Sequence, residues 1–122
     1  MVVLIADDNR LLLSTFSMLL RMQGHEVMEA DSGAGALQLA KDRRPDAAVI
    51  DLHMPVVTGL DVGRYLSSMK VPFVLISAYD ESDVEEAAHA CGASGYLLKP
   101  ASSDELVGAL ARCLEGVKAR KH

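Results

Sequence analysis

Ala47-Ala48-Val49-Ile50-Asp51 is a short apolar run that stops on a carboxylate. Four consecutive apolar residues followed by a turn suit a strand buried on both faces, as in a parallel sheet covered by helices. Three further runs repeat the pattern. VVLIA over residues 2–6 ends at Asp7-Asp8, VPFVLI over 71–76 ends at Ser77, and GYLL over 95–98 ends at Lys99-Pro100. Open parallel sheets bind ligands at the carboxyl ends of their strands. If these runs lie side by side, three carboxylates, a hydroxyl and an ammonium meet at one rim.

The segments between the runs carry helical periodicity and end signals. A helix is expected over 11–22, with Leu12, Phe16, Leu19 and Leu20 on one side, Asn9 or Asp8 as its cap and Gly24 as its terminator. Residues 25–30 alternate polar and apolar, which suggests a strand in a less buried, edge position. Ser32 caps an expected helix over 34–43, broken by Pro45. Thr58 and Asp61 have capping-box spacing before a helix over 59–69, and Ser82 is the expected cap of one over 83–91, stopped by Gly92. Ser102 and Glu105 form another box. They open a helix to about residue 117, in which Leu106, Leu110, Leu114 and Val117 keep one face. Five strands alternating with helices imply parallel pairing through right-handed crossovers.

Composition narrows the function. The chain has 122 residues, which suits one domain, and half of them are apolar, enough for a real core. Its net charge of −5 argues against nucleic acid as a direct partner, since phosphate backbones need a basic face. No apolar stretch reaches the roughly 18 residues of a membrane span, and no secretory signal precedes Val2, so a cytoplasmic domain with no membrane partner is expected. Cys91 and Cys113 lie in helical patterns without CxxC spacing and read as reduced core thiols. His25, His53, His89 and His122 show no zinc-ligand spacing. The basic end KARKH suits a helix C-terminus, or the start of a linker.

The rim residues allow specific chemistry. Asp7 and Asp8 repel each other, and a hard divalent cation with oxygen ligands is the simplest way to hold them together. A carboxylate at the position of Asp51 can attack a phosphoryl group to give an acyl phosphate. The Ser77 hydroxyl and the Ala78 backbone N–H could hold a phosphoryl oxygen, and Lys99 adds a point charge. Each residue alone has a plainer reading as a cap, a turn residue or a solvated lysine. It is their sum at one rim that favours phosphoryl chemistry.

Asp7-Asp8, DLHMPVVTG over 51–59, SAY over 77–79 and KP at 99–100 resemble the receiver domain of two-component response regulators, and the resemblance covers 2–117. Any one of these motifs is weak, but four in order at matching intervals are specific. The resemblance implies a flavodoxin-like (βα)5 fold, a five-stranded parallel sheet of order 2-1-3-4-5 with helices on both faces. It makes Asp51 the phosphoacceptor, Asp8 and Asp51 direct Mg2+ ligands (with Mn2+ as an alternative), Asp7 a ligand through water and the His53 backbone carbonyl a further ligand. Ser77 and Lys99 match the phosphate-contacting residues, Tyr96 the aromatic switch, and Met54, Pro55 and Gly59 the loop after the acceptor. His53 and Tyr79 occupy positions that tune dephosphorylation, so a long phosphoryl lifetime is expected, although a solvated loop histidine is the plainer reading of His53.

The implied function is a switch. A histidine kinase or histidine phosphotransfer protein donates the phosphoryl group. The surface of the fourth helix, fifth strand and fifth helix then changes as Ser77 moves and Tyr96 turns inward, and it controls an output protein, an attached domain or a homodimer. No enzymatic activity is expected beyond the chain's own phosphorylation and dephosphorylation. Whether the chain stands alone or belongs to a larger regulator is left open. Two rivals fit less well. An electron-transfer flavodoxin needs a glycine- and hydroxyl-rich phosphate loop where this chain has Asp7-Asp8-Asn9-Arg10. A haloacid-dehalogenase-type phosphatase needs its two aspartates two residues apart, and Asp7 and Asp8 are adjacent.

Overall fold

The computed structural model describes residues 1–78 and 80–121, with side chains through 117. Strands and helices alternate strictly: β1 (Val2–Ala6), α1 (Arg10–Met22), β2 (Glu26–Ala30), α2 (Gly33–Asp42), β3 (Ala47–Asp51), α3 (Gly59–Ser68), β4 (Phe73–Ser77), α4 (Glu81–Cys91), β5 (Gly95–Leu98) and α5 (Ser103–Lys121). All strand pairs are parallel, in the order β2-β1-β3-β4-β5. The expected flavodoxin-like arrangement is the observed one. Tyr79 and the side chains of the basic tail lie outside the described residues, so the readings placed on them are not addressed, although the α5 backbone continues to Lys121.

The run that decides the fold becomes the centre of the sheet. β3 lies between β1 and β4, and all five of its residues are buried. Its period of two sends alternate side chains to opposite faces. Ala48 and Ile50 join one core with Ala36, Val62, Leu66 and Val84, under α2, α3 and α4. Ala47 and Val49 join the other with Leu13, Phe16, Leu106 and Leu110, under α1 and α5. Each fully buried Leu, Ile or Val side chain contributes about 1.5–3 kcal/mol relative to exposure. β2, which alternates in sequence, forms one edge and is partly exposed.

Local chemistry sets the helix ends. The Asn9 side chain accepts from the N–H groups of Leu11 and Leu12, which resolves the choice of α1 cap. Ser32 caps α2 by accepting from Gly35 N–H. The Thr58/Asp61 box is reciprocal, and so is the Ser102/Glu105 box. Such caps contribute about 1 kcal/mol each.

Two local expectations are corrected. Asp80, not Ser82, caps α4, and the helix opens at Glu81. The Asp80 carboxylate accepts from both the backbone N–H and the hydroxyl of Ser82, so the stronger acceptor takes the role and Ser82 becomes its donor. β4 begins at Phe73 rather than Val71, because the Val71 N–H is already committed to Leu66 O at the end of α3.

Candidate functional site

The sheet order brings the four strand endings together. β1 and β3 are neighbours, so Asp7 and Asp8 follow β1 directly beside Asp51. β4 lies next to β3 and β5 next to β4, so Ser77 and Lys99 complete the rim. The Lys99 N–H donates to Ser77 O at 2.7 Å, which fixes the start of the loop after β5, and the Lys99–Pro100 peptide is cis.

Asp7, Asp51 and Ser77 are buried, whereas Asp8 faces solvent. One carboxylate oxygen from each of Asp7, Asp8 and Asp51 lies within 4.8 Å of the others. Lys99 Nζ lies 2.9 Å from Asp7 Oδ2 and 3.5 Å from Asp51 Oδ2. The first approach is ion pairing out of hydrogen-bond alignment, because Asp7 Oδ2 has no aligned donor among the described residues. The other Asp7 oxygen accepts from Asn9 N–H at 2.9 Å, and Asp51 Oδ1 accepts from His53 N–H at 3.4 Å.

The charges do not balance. Lys99 pairs with two of the three carboxylates, in a place where burial weakens solvation. Burial first, then the Asp7 charge, push the Asp51 carboxyl up to about 7, against the opposing pull of Lys99. A carboxylate held this high is stabilised by any added cation. The donor set, all oxygen and two-thirds buried, together with the misaligned Asp7 oxygen, suits a small hard divalent ion.

A hollow of about 380 Å³ opens beside the ammonium, walled by Leu12, Phe16, Ala78, Lys99 and Pro100. Among its walls only Lys99 belongs to the acidic rim's ion pairs. A larger hollow of about 570 Å³ lies elsewhere, between α1, β2 and α2. Its polar walls include the exposed Arg10–Asp31 pair, and it holds none of the buried acids. Chemistry, not volume, therefore locates the site.

Tyr96 lies two residues before Leu98, the register partner of Ser77. Its ring packs partly against the core under α3 and α4, and its hydroxyl donates to Glu81 Oε1 at 3.2 Å. Partial desolvation, then Glu81 and Glu85, hold this phenol above its ordinary range. Cys91 and Cys113 are buried on opposite faces of the sheet, and burial raises both thiols, as expected of core residues. Sequence reasoning singled out every member of the rim. It missed Glu81, the partner of Tyr96, and Gly33, where an added Cβ would lie 2.0 Å from the Val57 carbonyl oxygen; a glycine directly after a capping serine was the available signal.

A five-stranded parallel sheet of this order, with an acidic cluster and a lysine at its carboxyl rim, defines a class. The chain matches the family model of the response regulator receiver domain over residues 3–111, and it belongs to that family. It is 36% identical to the transcriptional regulatory protein PdtaR of Mycobacterium tuberculosis over 110 residues, covering 88% of this chain and 54% of that protein. It is 41% identical to the transcriptional regulatory protein PrrA of the same organism over 107 residues, covering 86% of this chain and 46% of that protein. The chain thus spans about half the length of these curated relatives. Among solved structures, the signal receiver domain of the putative response regulator NarL from Mycobacterium tuberculosis is 36% identical, with a TM-score of 0.83 over 94% of this chain and 96% of that one. A CheY-like receiver domain protein from Methanospirillum hungatei shares the fold at a TM-score of 0.90 and 19% identity, covering 98% of this chain and 97% of that one. Among the described residues, no helix is long and apolar enough to cross a membrane.

Proposed function

We propose that this chain is a single receiver domain, residues 1–122, that accepts a phosphoryl group on Asp51 and passes the event to an output partner. The observation that carries the reading is the position of Asp51. It is buried beside Asp7 and Asp8 and within ion-pairing reach of Lys99.

In the proposed reaction an Asp51 carboxylate oxygen attacks phosphorus in line. The bond from phosphorus to the donor breaks, and the leaving group departs with the bonding pair. Asp7, Asp8, Asp51 and the His53 carbonyl would hold Mg2+, or Mn2+ in its place, which supplies positive charge against the phosphoryl oxygens. Lys99 neutralises a further oxygen, and the Ser77 hydroxyl and Ala78 N–H donate to another. The donor is a histidine kinase or a histidine phosphotransfer protein.

The signal then travels along one sheet edge. As Ser77 turns toward the new acceptor, Tyr96 gives up Glu81 and turns inward, and the α4-β5-α5 face changes its shape and charge. This is a two-state equilibrium biased by a local modification. The relatives named as transcriptional regulators suggest that the output is gene control, through an attached domain, a separate protein or a homodimer formed on that face. With a net charge of −5 the receiver itself makes no direct nucleic-acid contact, and it works in the cytoplasm without a membrane partner.

Incubation with acetyl phosphate and Mg2+ tests the reading. The wild type is expected to take up about one phosphoryl group per chain, as the stoichiometry of a single nucleophile requires, and Asp51→Asn none. Equal incorporation by both, or incorporation that ignores chelation of Mg2+, would refute it.

A further inference from the structure

Two glycines clamp the loop that joins Asp51 to α3. A Cβ built on Gly33, the first residue of α2, would lie 2.0 Å from the carbonyl oxygen of Val57 and 2.7 Å from its carbonyl carbon. A Cβ on Gly59, the first residue of α3, would lie 2.3 Å from the carbonyl oxygen of Asp51 and 2.6 Å from Leu52 Cα. The Gly59 N–H also donates to Leu52 O at 2.9 Å, closing the loop on itself. Residues 52–58 thus form a doubled-back segment, pressed by α2 on one side and resting on the acceptor's own backbone on the other.

The loop does not choose this shape for its own sake. Val56 sits at φ 65°, a left-handed conformation that β-branched residues disfavour, and it is 95% exposed. No burial of Val56 repays that strain. Leu52 and Met54 anchor the near half of the loop in the core, while the far half meets α2 through Val57. The α2 side is the firmer one, with Ala36 and Ala40 fully buried and Ser32 capping its start.

We propose that Gly33 is a positioning residue for the phosphoacceptor. The start of α2 is a stop against Val57, and through Thr58 and Gly59 it sets the backbone of Asp51 and, with it, the His53 carbonyl. The inference rests on the phosphoacceptor reading given above. A methyl group at position 33 meets backbone atoms, so no rotamer change accommodates it, and close-packed interiors pass such a displacement on. The far half of the loop yields first, toward Gly59 and Asp51. Mg2+ demands near-ideal octahedral geometry, so a small displacement of its ligands weakens binding.

The test is Mg2+ affinity by calorimetry on the whole chain, beside a thermal melt. Gly33→Ala is expected to bind Mg2+ about tenfold more weakly, the lower end of what loss of a ligand's supporting contact costs. Phosphorylation by acetyl phosphate should slow at low Mg2+ and recover at high Mg2+, which a general loss of structure would not do. Gly35→Ala, on the same helix, is the control; its Cβ would meet side chains alone, the Ser32 hydroxyl at 3.1 Å and Ala30 Cβ at 3.7 Å, and should leave Mg2+ affinity unchanged. A folded Gly33→Ala with wild-type affinity overturns the proposal, as does an equal loss in Gly35→Ala. Should Gly33→Ala fail to fold, Val57→Gly, which removes the Val57 side chain beside Gly33 and frees the loop backbone without adding an atom, is expected to weaken Mg2+ binding, and unchanged affinity there overturns it. Failure of the wild type to bind Mg2+ refutes the phosphoacceptor reading instead, and this inference with it.

Discussion

The two ends of one sheet treat charge in opposite ways. At the amino edge, Asp46 accepts from Val2 N–H at 2.7 Å, and its own N–H returns a bond to Val2 O at 2.7 Å. Arg44 donates to Met69 O at 2.9 Å and so covers the carbonyl end of α3. Both of these charges meet a backbone group left open by a strand or helix end. At the carboxyl rim, Asp7, Asp8 and Asp51 converge on one another, and Lys99 pairs with Asp7 and Asp51. Opposed charges at one end hold the chain, whereas gathered like charges at the other weaken the metal-free fold and create affinity for a cation. The same strands serve both ends, so the proposed function falls where electrostatics is left unbalanced.

The contrast can be broken most directly at Asp51. Its carboxyl is raised from 3.8 to about 7, so between these values the folded state holds a proton that the unfolded state has lost. Wild-type stability without metal therefore falls as pH rises through that window and stays low above it. Asp51→Asn removes the penalty. It is expected to stabilise the metal-free chain by on the order of 2 kcal/mol at pH 8, discounted for the approach of solvent to the rim. The gain should shrink below pH 7 and vanish near pH 4, and denaturant melts across pH measure it. A gain that grows toward acid would reverse the sign of the electrostatics described.

At the amino edge the opposite outcome is expected. Asp46→Ala leaves the Val2 N–H without its partner and should cost about 1 kcal/mol at neutral pH, the usual worth of such a bond. A stabilising result there would erase the difference between the ends. The smallest effects separate two non-glycine residues in left-handed backbone, Val56 at the rim and Lys70 at the amino edge. Gly relieves roughly 1–2 kcal/mol of left-handed strain but returns part of it as unfolded-state entropy, so each gain should be below about 1 kcal/mol. β-branched, exposed Val56 should gain more than unbranched Lys70, and thermal melts of Val56→Gly and Lys70→Gly rank them.

Much of the fold was legible because its signals are local and repeated. AAVID over 47–51 has no polar residue before its end, and that is how a central parallel strand must read. The polar endings of β1, β3, β4 and β5 named the candidate site, since parallel strands bring like ends together. Where two good caps compete within three residues, as Asp80 and Ser82 do, sequence could not choose, and α4 begins two residues earlier than expected. Val71 looked like strand because it is apolar, yet its N–H was claimed by a turn.

The sequence by itself determined the alternation of strands and helices, the caps that had no nearby rival and the set of residues gathered at the rim, because each follows from side-chain period, polarity and backbone hydrogen bonding within a few positions. Only the tertiary structure decided the quantities that depend on distance between remote segments. The high pKa of Asp51 arises from burial and from Asp7, 44 positions away in the chain. The Tyr96 hydroxyl finds Glu81 across α4 and β5. Gly33 meets Val57 because α2 and the loop after β3 pack on the same face of the sheet. Coulomb energy and steric contact depend on separation in space, and the chain closes those separations only when the sheet has formed.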